Sequence, residues 1–420
     1  MLPPKFEPEV PVSTSYPLHK IKVVLLENIH PVAVANLEAA GFTVELHDRA
    51  YQGAELLAVA GDAHLIGIRS KTRLTEEFFQ GATRLWGVGA FCIGTNQIDL
   101  QAAACHGVPV FNEAFSNTRS VAELVIAETV ALHRSLCDRS AGMHLGQWRK
   151  TATGAHEIRG KTMGIVGYGR IGSQTSVLAE AMGMKVIYHD VVDVLPMGTA
   201  TKADSLEALL AEADVVTLHV PATEQTKNMI RAEQLALMKR GAYLLNNARG
   251  DVVDVEALAA ALKDGHLGGA AVDVFPREPG KNISDEFDSP LRGLPNVILT
   301  PHIGGSTVEA QINIGQSVSA RLAKLMNNGS TATAVNVPHV TLPKLEEDAH
   351  RVIHFHHNRP GVLGKINSLI AEMGANISSQ YLRTDAKHGY LIIDISPEHG
   401  EALKDRLLAV PETIRVRTLW

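Results

Sequence analysis

One stretch of the sequence decides the fold: Thr162-Met163-Gly164-Ile165-Val166-Gly167-Tyr168-Gly169-Arg170-Ile171-Gly172. An apolar run typical of a buried strand leads into the spacing Gly-x-Gly-x-x-Gly, and a helical pattern follows until Gly183. In such a unit the first glycine permits the tight turn, the second lets the backbone approach a pyrophosphate, and the third lets the helix pack on the strand. Amides at the helix N-terminus then bind the phosphates. We predict a dinucleotide-binding loop; the alternative is a glycine-rich turn without a ligand.

Asp190 supports the first interpretation, because it ends the next predicted strand, 18 residues beyond Gly172. A carboxylate at this place accepts hydrogen bonds from the hydroxyls of the adenosine ribose and repels a 2′-phosphate. Arg170 is placed to contact a phosphate, and its positive charge is a weak argument against the preference for NAD. The spacing therefore favours NAD over NADP.

Short apolar runs alternate with helical patterns along most of the chain, which is typical of parallel sheets covered by helices. A first series of five predicted strands runs from Ile21 to about Val110. After one long helical segment, predicted from Val121 to about Trp148, a second series of six strands runs from Thr162 to Thr300. Six strands are typical of a doubly wound dinucleotide-binding domain.

The last 70 or so residues change to the order strand, helix, strand, strand, helix, strand, which is a ferredoxin-like βαββαβ pattern. We therefore predict an α/β protein with two doubly wound (Rossmann or flavodoxin-like) parallel-sheet lobes and a ferredoxin-like domain. The predicted parts are a disordered arm, 1–17; a first lobe, 18–116 together with 305–346; a dinucleotide lobe, 117–304; and the C-terminal domain, 347–420.

Composition excludes several classes of protein. A net charge of −6 in 420 residues does not indicate a nucleic-acid partner, and no apolar run approaches the ~20 residues of a membrane helix. Only three cysteines are present, which fits a reducing cytoplasm better than secretion. No paired-cysteine or other metal-ligand spacing predicts a metal site.

Arg249, Glu278 and His302 each follow a predicted strand of the second series. Ligands of doubly wound sheets bind at the carboxyl ends of the strands, so we expect these side chains at one edge. Arg249 is suited to bind a carboxylate in bidentate fashion, and His302 to exchange a proton with a carbonyl or hydroxyl oxygen. Glu278 would fix the imidazole tautomer and raise its pKa. This trio predicts redox chemistry on a 2-hydroxy or 2-oxo acid.

Other polar segments leave two interpretations open. Asp273 could accept a hydrogen bond from the nicotinamide amide or serve as a buried structural acid. Arg69-Ser70-Lys71-Thr72 is either a clamp for a phosphate or carboxylate or a solvated charged turn. Ile93-Gly94 could present backbone amides to a carboxylate. The turn from His356 to Gly361 is equally consistent with a small-molecule pocket and with a plain turn.

These motifs together resemble the D-isomer-specific 2-hydroxyacid dehydrogenases over nearly everything after residue 18. The resemblance is carried by the glycine loop and by these segments: Phe91-Cys92-Ile93-Gly94-Thr95-Asn96-Gln97, Phe115-Ser116-Asn117-Thr118-Arg119-Ser120-Val121-Ala122-Glu123, Asn247-Ala248-Arg249-Gly250, Asp273-Val274-Phe275-Pro276-Arg277-Glu278-Pro279 and Pro301-His302-Ile303-Gly304-Gly305-Ser306. Within the family, the chain is similar to the short bacterial branch that acts on 3-phospho-D-glycerate and carries one C-terminal ACT domain.

The resemblance implies roles for individual residues. Arg249 anchors the substrate, Glu278 and His302 form the acid/base pair, and Asp190 binds the ribose. Further cofactor contacts are implied for Gly167, Gly169, Arg170, Ile171, Gly172, Asn247, Ala248, Arg249, Asp273, His302, Ile303, Gly304 and Gly305. Substrate contacts are implied for Arg69, Ser70, Lys71, Ile93, Gly94 and Arg249, with Lys150 contributed by a neighbouring subunit.

For the C-terminal domain, the resemblance implies a regulatory role. L-serine would bind between subunits at His356, Asn358 and Asn376, within a homotetramer whose ACT sheets pair edge to edge and in which Trp148 packs into a neighbour. Two departures stand out. Glu347-Asp348-Ala349-His350 replaces a Gly-Gly pair seen in similar chains, and Lys71 replaces an arginine.

The implied activity is NAD-dependent oxidation of 3-phospho-D-glycerate to 3-phosphooxypyruvate, the first committed step of L-serine biosynthesis, with 2-oxoglutarate reduction as a possible side activity. One alternative is a hydroxypyruvate/glyoxylate or D-lactate reductase, against which the cations Arg69 and Lys71 argue. Another is a non-catalytic NAD(H)-sensing corepressor, which gives no reason for an ACT domain.

Overall fold

The computed structural model describes residues 16–113, 115–279, 287–343, 345–346 and 348–420. The predicted N-terminal arm lies almost wholly outside the described residues, as does Glu347. The chain forms two compact units, one of residues up to 114 together with 311–420, and one of residues 115–310. Among the described residues, no helix is long and apolar enough to cross a membrane.

The first unit begins with a five-stranded, all-parallel sheet in the order β2-β1-β3-β4-β5. Its elements are β1 (Lys22–Leu25), α1 (Pro31–Ala39), β2 (Thr43–Leu46), α2 (Gly53–Ala60), β3 (Leu65–Ile68), α3 (Glu76–Gly81), β4 (Gly87–Ala90), α4 (Leu100–Cys105) and β5 (Val110–Asn112). The residues of β3 and β4 are all buried, as expected for central strands covered by helices on both faces. The predicted first lobe of five strands is confirmed.

The second unit contains a seven-stranded parallel sheet in the order β12-β11-β10-β9-β6-β7-β8. Its elements are α5 (Thr118–Arg134), α6 (Leu136–His144), β6 (Thr162–Val166), α7 (Arg170–Ala181), β7 (Lys185–His189), β8 (Thr201–Lys202), α8 (Leu206–Glu212), β9 (Val215–Leu218), α9 (Ala232–Leu237), β10 (Tyr243–Asn246), α10 (Val255–Lys263), β11 (Gly269–Val272) and β12 (Val297–Leu299). The order reverses between β6 and β9, which is the switch point of a doubly wound sheet.

Two predictions about this unit were wrong. Six strands were expected, but the two-residue edge strand β8 makes a seventh; both its residues are exposed, so no apolar run marks it. The expected single helix from Val121 to Trp148 is two helices. Ser135 has a left-handed backbone (φ 45°) that ends α5, and α6 ends at His144.

The chain returns to the first unit through α11 (Val308–Asn328) and then forms the C-terminal domain. That domain consists of β13 (His350–His357), α12 (Val362–Glu372), β14 (Ile377–Thr384), β15 (His388–Ile395), α13 (Gly400–Leu408) and β16 (Thr413–Leu419). Its antiparallel sheet has the order β14-β15-β13-β16, with β14 and β16 at the edges. The predicted βαββαβ order is confirmed.

Both faces of this antiparallel sheet are covered. Val352 packs in a core with residues of α12 and α13 such as Ile366 and Leu403. Ile353, the next residue along β13, belongs instead to the core that contains Leu322 and other residues of α11. Successive side chains of a strand point to opposite faces, so the alternation along β13 serves two cores at once.

A buried ion pair lies at the start of β13. Arg351 is 1% exposed, and its Nε and Nη2 each donate to a carboxylate oxygen of Asp394 at 2.7 Å. Its Nη1 donates to the carbonyl oxygens of Asn328 and Pro343, both at 3.1 Å. The guanidinium therefore ties β13 and β15 to the C-terminus of α11, where a cation is electrostatically favourable.

We expect Arg351→Met to lower the free energy of unfolding by about 3–5 kcal/mol, because it leaves the buried carboxylate of Asp394 without its partner. Thermal and urea unfolding of the full chain measure this loss. Arg406→Met is the matched control: its pair with Glu372 is exposed, and we expect a change of at most about 1 kcal/mol. Equal losses in the two variants would contradict this account of the pair.

Candidate active site

The loop after β6 has the shape that a pyrophosphate needs. Gly167 has a left-handed backbone (φ 91°), and a Cβ there would lie 2.6 Å from the carbonyl oxygen of His219. A Cβ on Gly172 would collide with the carbonyl oxygen of Gly167, whereas Gly169 faces open space. Two of the glycines thus allow close packing inside the protein, and Gly169 leaves room for a ligand to approach the backbone.

Asp190 lies beside this loop, at the end of β7. Its carboxylate accepts hydrogen bonds from the backbone N–H of Tyr168, at 2.7 Å, and of Val192, at 2.9 Å. These two hydrogen bonds hold the acid against the glycine loop. Arg170, the first residue of α7, places its guanidinium 3.7 Å from the centre of the Phe115 ring.

The structure brings Glu278 and His302 together. Nδ1 of His302 lies 2.7 Å from Oε2 of Glu278, and Oε1 of Glu278 accepts the backbone N–H of Phe275 at 3.1 Å. Because a carboxylate only accepts hydrogen bonds, Nδ1 of His302 carries the proton. Nε2 is then the nitrogen that is left to exchange a proton with another molecule.

This pair has mutually shifted pKa values. The hydrogen bond to Glu278 raises the pKa of His302, against the opposing effect of burial. Burial by itself would raise the pKa of Glu278, but the hydrogen bonds from His302 and Phe275 outweigh it and lower that pKa. Arg249 is near enough for its charge to lower the pKa of both groups. Charge-stabilised pairs of this kind are typical of acid/base sites.

Arg249 is held next to the Glu278 loop by a close backbone contact. Gly250 follows it, and a Cβ on Gly250 would collide with the backbone of Phe275. Asn246 fixes the same turn, since its Nδ2 donates to the carbonyl oxygen of Arg249 at 3.0 Å. The three residues predicted from their places after strands are thus joined through the backbone of Phe275.

Asp273 organises the loop that carries His302. It is 1% exposed and accepts the hydroxyl of Thr300 at 2.6 Å and the N–H groups of Ile303 and Gly304, both at 2.8 Å. His302 itself has a left-handed backbone (φ 55°), a strained conformation that this network holds in place. The structure supports the structural interpretation of Asp273; its contact with a nicotinamide amide stays a prediction.

Glu128 is a neighbour of the site that the sequence analysis missed. It lies on α5, is 3% exposed, and its Oε2 accepts the Nδ2–H of Asn247 at 3.0 Å. Burial raises the pKa of Glu128 to about 8, so the side chain is protonated at neutral pH. Its spacing from Val125 and Leu132, which are also buried, was the signal in the sequence that marked it as an inward-facing acid.

In the first unit, the two predicted substrate segments lie side by side. Arg69 and Lys71 follow β3, and Ile93 and Gly94 follow β4. Gln97 joins them, because its Nε2 donates to the carbonyl oxygens of Arg69, at 2.7 Å, and Gly94, at 3.2 Å. Ser70 and Lys71 are exposed and available to a ligand.

The predicted effector residues do not meet within one chain. His356 lies opposite Gly389, whereas Ile377, next to Asn376, lies opposite Ile395. These positions are six residues apart along β15, or roughly 20 Å at ~3.4 Å per residue. His356 is 3% exposed and its Nδ1 has no hydrogen-bond partner among the described residues, while Asn358 is exposed.

Comparison with known proteins shows the family. Residues 126–304 match the D-isomer specific 2-hydroxyacid dehydrogenase, NAD binding domain, and residues 352–415 match an AHAS small subunit-like ACT domain. The chain is 51% identical over 402 residues to the D-3-phosphoglycerate dehydrogenase of Haemophilus influenzae, covering 96% of this chain and 98% of that protein. The chain belongs to the D-isomer specific 2-hydroxyacid dehydrogenases.

Further proteins are similar to most of this chain. The D-3-phosphoglycerate dehydrogenase of Dictyostelium discoideum is 47% identical, covering 97% of this chain and 99% of that protein. Two solved structures each have a TM-score of 0.66: the TT0316 protein from Thermus thermophilus, 34% identical over 73% of this chain and 96% of that one, and a D-lactate dehydrogenase from Sporolactobacillus sp, 32% identical over 75% and 99%. The protein is therefore an NAD-dependent D-2-hydroxyacid dehydrogenase with an ACT domain.

The raised pKa of Glu128 predicts a particular pH dependence of stability. Because the folded state binds this proton more tightly than the unfolded state, the stabilisation is greatest below the usual pKa of 4.5 and is lost as the pH rises to about 8. We expect Glu128→Gln, which mimics the protonated acid, to flatten the fall in unfolding free energy between about pH 5 and pH 8.

Urea unfolding at several pH values measures both slopes. Glu123→Gln is the control on the same helix, since Glu123 is exposed and paired with Arg119; it should keep the slope of the parent protein. If Glu128→Gln kept that slope as well, Glu128 would not be protonated in the folded state.

Proposed function

We propose that this enzyme oxidises 3-phospho-D-glycerate to 3-phosphooxypyruvate with NAD, the first committed step of L-serine biosynthesis. The observation that carries the proposal is the 51% identity, over nearly the whole of both chains, to a D-3-phosphoglycerate dehydrogenase. The loop with Arg69 and Lys71 adds to it, because two cations two residues apart in one loop suit a doubly charged phosphate. We also propose that the enzyme works in the cytoplasm, which its three cysteines favour, and that it is a homotetramer, as the family resemblance implies.

The residues after the strands of the second unit suit the chemistry of the proposed reaction. Arg249 binds the substrate carboxylate and places C2 for reaction, and Nε2 of His302 takes the proton of the C2 hydroxyl. Glu278 stabilises the imidazolium that forms and holds the ring orientation. NAD, when bound, accepts the hydrogen of C2 with its electron pair. In the reverse direction His302 returns the proton to the carbonyl oxygen.

The cofactor assignments of single residues belong to this proposal. Gly167, Gly169 and Gly172 form the phosphate loop, and the amide groups at the start of α7 bind the pyrophosphate. Asp190 is already fixed by two backbone N–H groups, so it would meet the ribose hydroxyls without rearrangement. A 2′-phosphate would face this carboxylate, which supports preference for NAD.

Regulation by L-serine is a further part of the proposal. His356 offers an unpartnered buried ring nitrogen, and Asn358 and Asn376 offer exposed amides. Since His356 and Asn376 lie at opposite ends of β15 in one chain, a common serine site requires His356 and Asn358 of one chain and Asn376 of another. In the part of the chain that the structure describes, β14 is an edge strand, which would allow it to pair with a second copy.

Purified enzyme should oxidise NADH with phosphooxypyruvate, with 2-oxoglutarate as a weaker substrate, and L-serine should inhibit. We expect His302→Ala to lower kcat at least about 100-fold, because it removes the proton donor. Absorbance of NADH follows each reaction. Absence of turnover with both oxo acids would overturn the assignment, whereas normal turnover without any effect of serine would overturn only the regulatory part.

The pH profile tests the pairing of Glu278 with His302. Reduction of the oxo acid needs protonated His302, so its rate falls as the pH rises through the raised pKa of that residue. We expect Glu278→Gln to move this fall to lower pH, because the carboxylate that raises the pKa is gone. Glu233→Gln, an exposed acid of the same unit paired with Arg231, should leave the profile unchanged. An unshifted profile in Glu278→Gln would contradict the pairing.

A further inference from the structure

One carboxylate binds the backbone of the loop that carries Arg69 and Lys71. Glu27 lies just beyond β1, and only 7% of it is exposed. Its Oε1 accepts the backbone N–H of Thr72 at 2.8 Å and of Arg69 at 3.2 Å, and its Oε2 accepts the N–H of Lys71 at 3.0 Å. Three amides of a four-residue loop therefore point at a single side chain.

The backbone at Glu27 is bent to reach this position. Glu27 (φ 64°) and Asn28 (φ 52°) are both in the left-handed region, which non-glycine residues seldom adopt. The bend is stabilised by hydrogen bonds from their N–H groups to the carbonyl oxygens of Arg49 and His47, at 3.2 and 3.0 Å. Strained backbone that the surroundings hold in place is often found at functional sites.

Two glutamine side chains bind the rest of the loop. Gln97 donates to the carbonyl oxygen of Arg69, and Gln52 donates to the carbonyl oxygen of Lys71 at 2.8 Å. Gln52 also accepts the N–H of Arg73 at 3.3 Å. The loop backbone is thus fixed by side chains from three distant segments, and Glu27 accepts three of these six hydrogen bonds.

We propose that Glu27 is a positioning residue for substrate binding, which fixes the loop so that the side chains of Arg69 and Lys71 project toward the substrate phosphate. This inference rests on the proposed function of that pair. The amides of residues 69, 71 and 72 are occupied by Glu27, so the phosphate is recognised by cationic side chains and not by a nest of backbone N–H groups.

The direction in which one substitution changes phosphate binding distinguishes a positioning role of Glu27 from a purely electrostatic one. Glu27 is a negative charge close to a site that binds an anion, so removing that charge would by itself tighten phosphate binding. Positioning predicts the opposite result. In Glu27→Gln, one oxygen is replaced by an NH₂ group that cannot accept the amide it faces, and the loop loses its geometry.

The test uses the full chain and the reduction of phosphooxypyruvate. We expect Glu27→Gln to raise KM for phosphooxypyruvate about 10- to 100-fold, the size expected from losing charged hydrogen bonds, with kcat and the KM for NADH within about twofold of the parent. With hydroxypyruvate, which lacks the phosphate, kcat/KM should change less than about threefold. Glu27→Asp keeps the charge but is one methylene too short, so it should raise the same KM.

Two further variants serve as controls. Glu113→Gln removes another buried carboxylate of the same unit, paired with Arg321 at 3.0 Å, and should lower the unfolding temperature without raising the KM for phosphooxypyruvate. Arg69→Ala should raise that KM if the loop binds the phosphate at all. The unfolding curve and the KM for NADH show whether Glu27→Gln folds. If it does not fold, the KM of Glu27→Asp for phosphooxypyruvate is the deciding measurement.

Specific outcomes would overturn the inference. If Arg69→Ala raises the KM for phosphooxypyruvate while both Glu27 variants keep or lower it, Glu27 does not position the loop. An equal loss with hydroxypyruvate and phosphooxypyruvate would also overturn it. If Arg69→Ala has no effect, the proposed phosphate-binding role of this loop fails, and the inference falls with it. If the parent enzyme does not turn over phosphooxypyruvate, the proposed activity on this substrate fails as well.

Discussion

Loops that leave the carboxyl ends of parallel strands carry backbone N–H groups that have lost their partners in the sheet. Buried N–H groups must find acceptors, and in this enzyme carboxylates supply them. Asp273 binds the loop of His302, Glu27 binds the loop of Arg69, and Asp190 binds the glycine loop. These three segments thus each depend on an acid that lies elsewhere in the sequence.

This arrangement has a physical cost and a functional consequence. An ionised carboxylate loses hydration when it is buried, and several charge-assisted hydrogen bonds are needed to offset that loss. Asp273 and Glu27 each accept three such bonds. A loop held in this way loses little further freedom when a ligand binds, which favours both affinity and a defined orientation of the reacting groups.

Glu128 is a buried acid whose hydrogen bonding does not offset the effect of burial on its pKa. Burial raises its pKa to about 8 and the charge of Asp273 adds to this effect, while the hydrogen bond from Asn247 opposes it without outweighing it, so the acid is protonated at neutral pH. Glu278 represents the intermediate case. It is partly exposed, accepts from His302 and from Phe275, and remains ionised so that it can raise the pKa of the histidine. The burial and the hydrogen bonds of each acid determine its protonation state, and the protonation state determines what the acid can do in the site.

Much of the fold and part of the candidate site could be predicted from the sequence alone. Alternating apolar runs and helical patterns predicted both parallel sheets and the βαββαβ domain, and the places of Arg249, Glu278 and His302 after strands predicted that they would lie together. These features depend on local periodicity and on a general rule for parallel sheets. The sequence did not predict the edge strand β8 or the helix break at Ser135, because neither is marked by an apolar run or a glycine. Only the tertiary structure revealed the roles of Glu27 and Glu128, because their partners lie more than 40 and more than 110 residues away and no local pattern records such a contact.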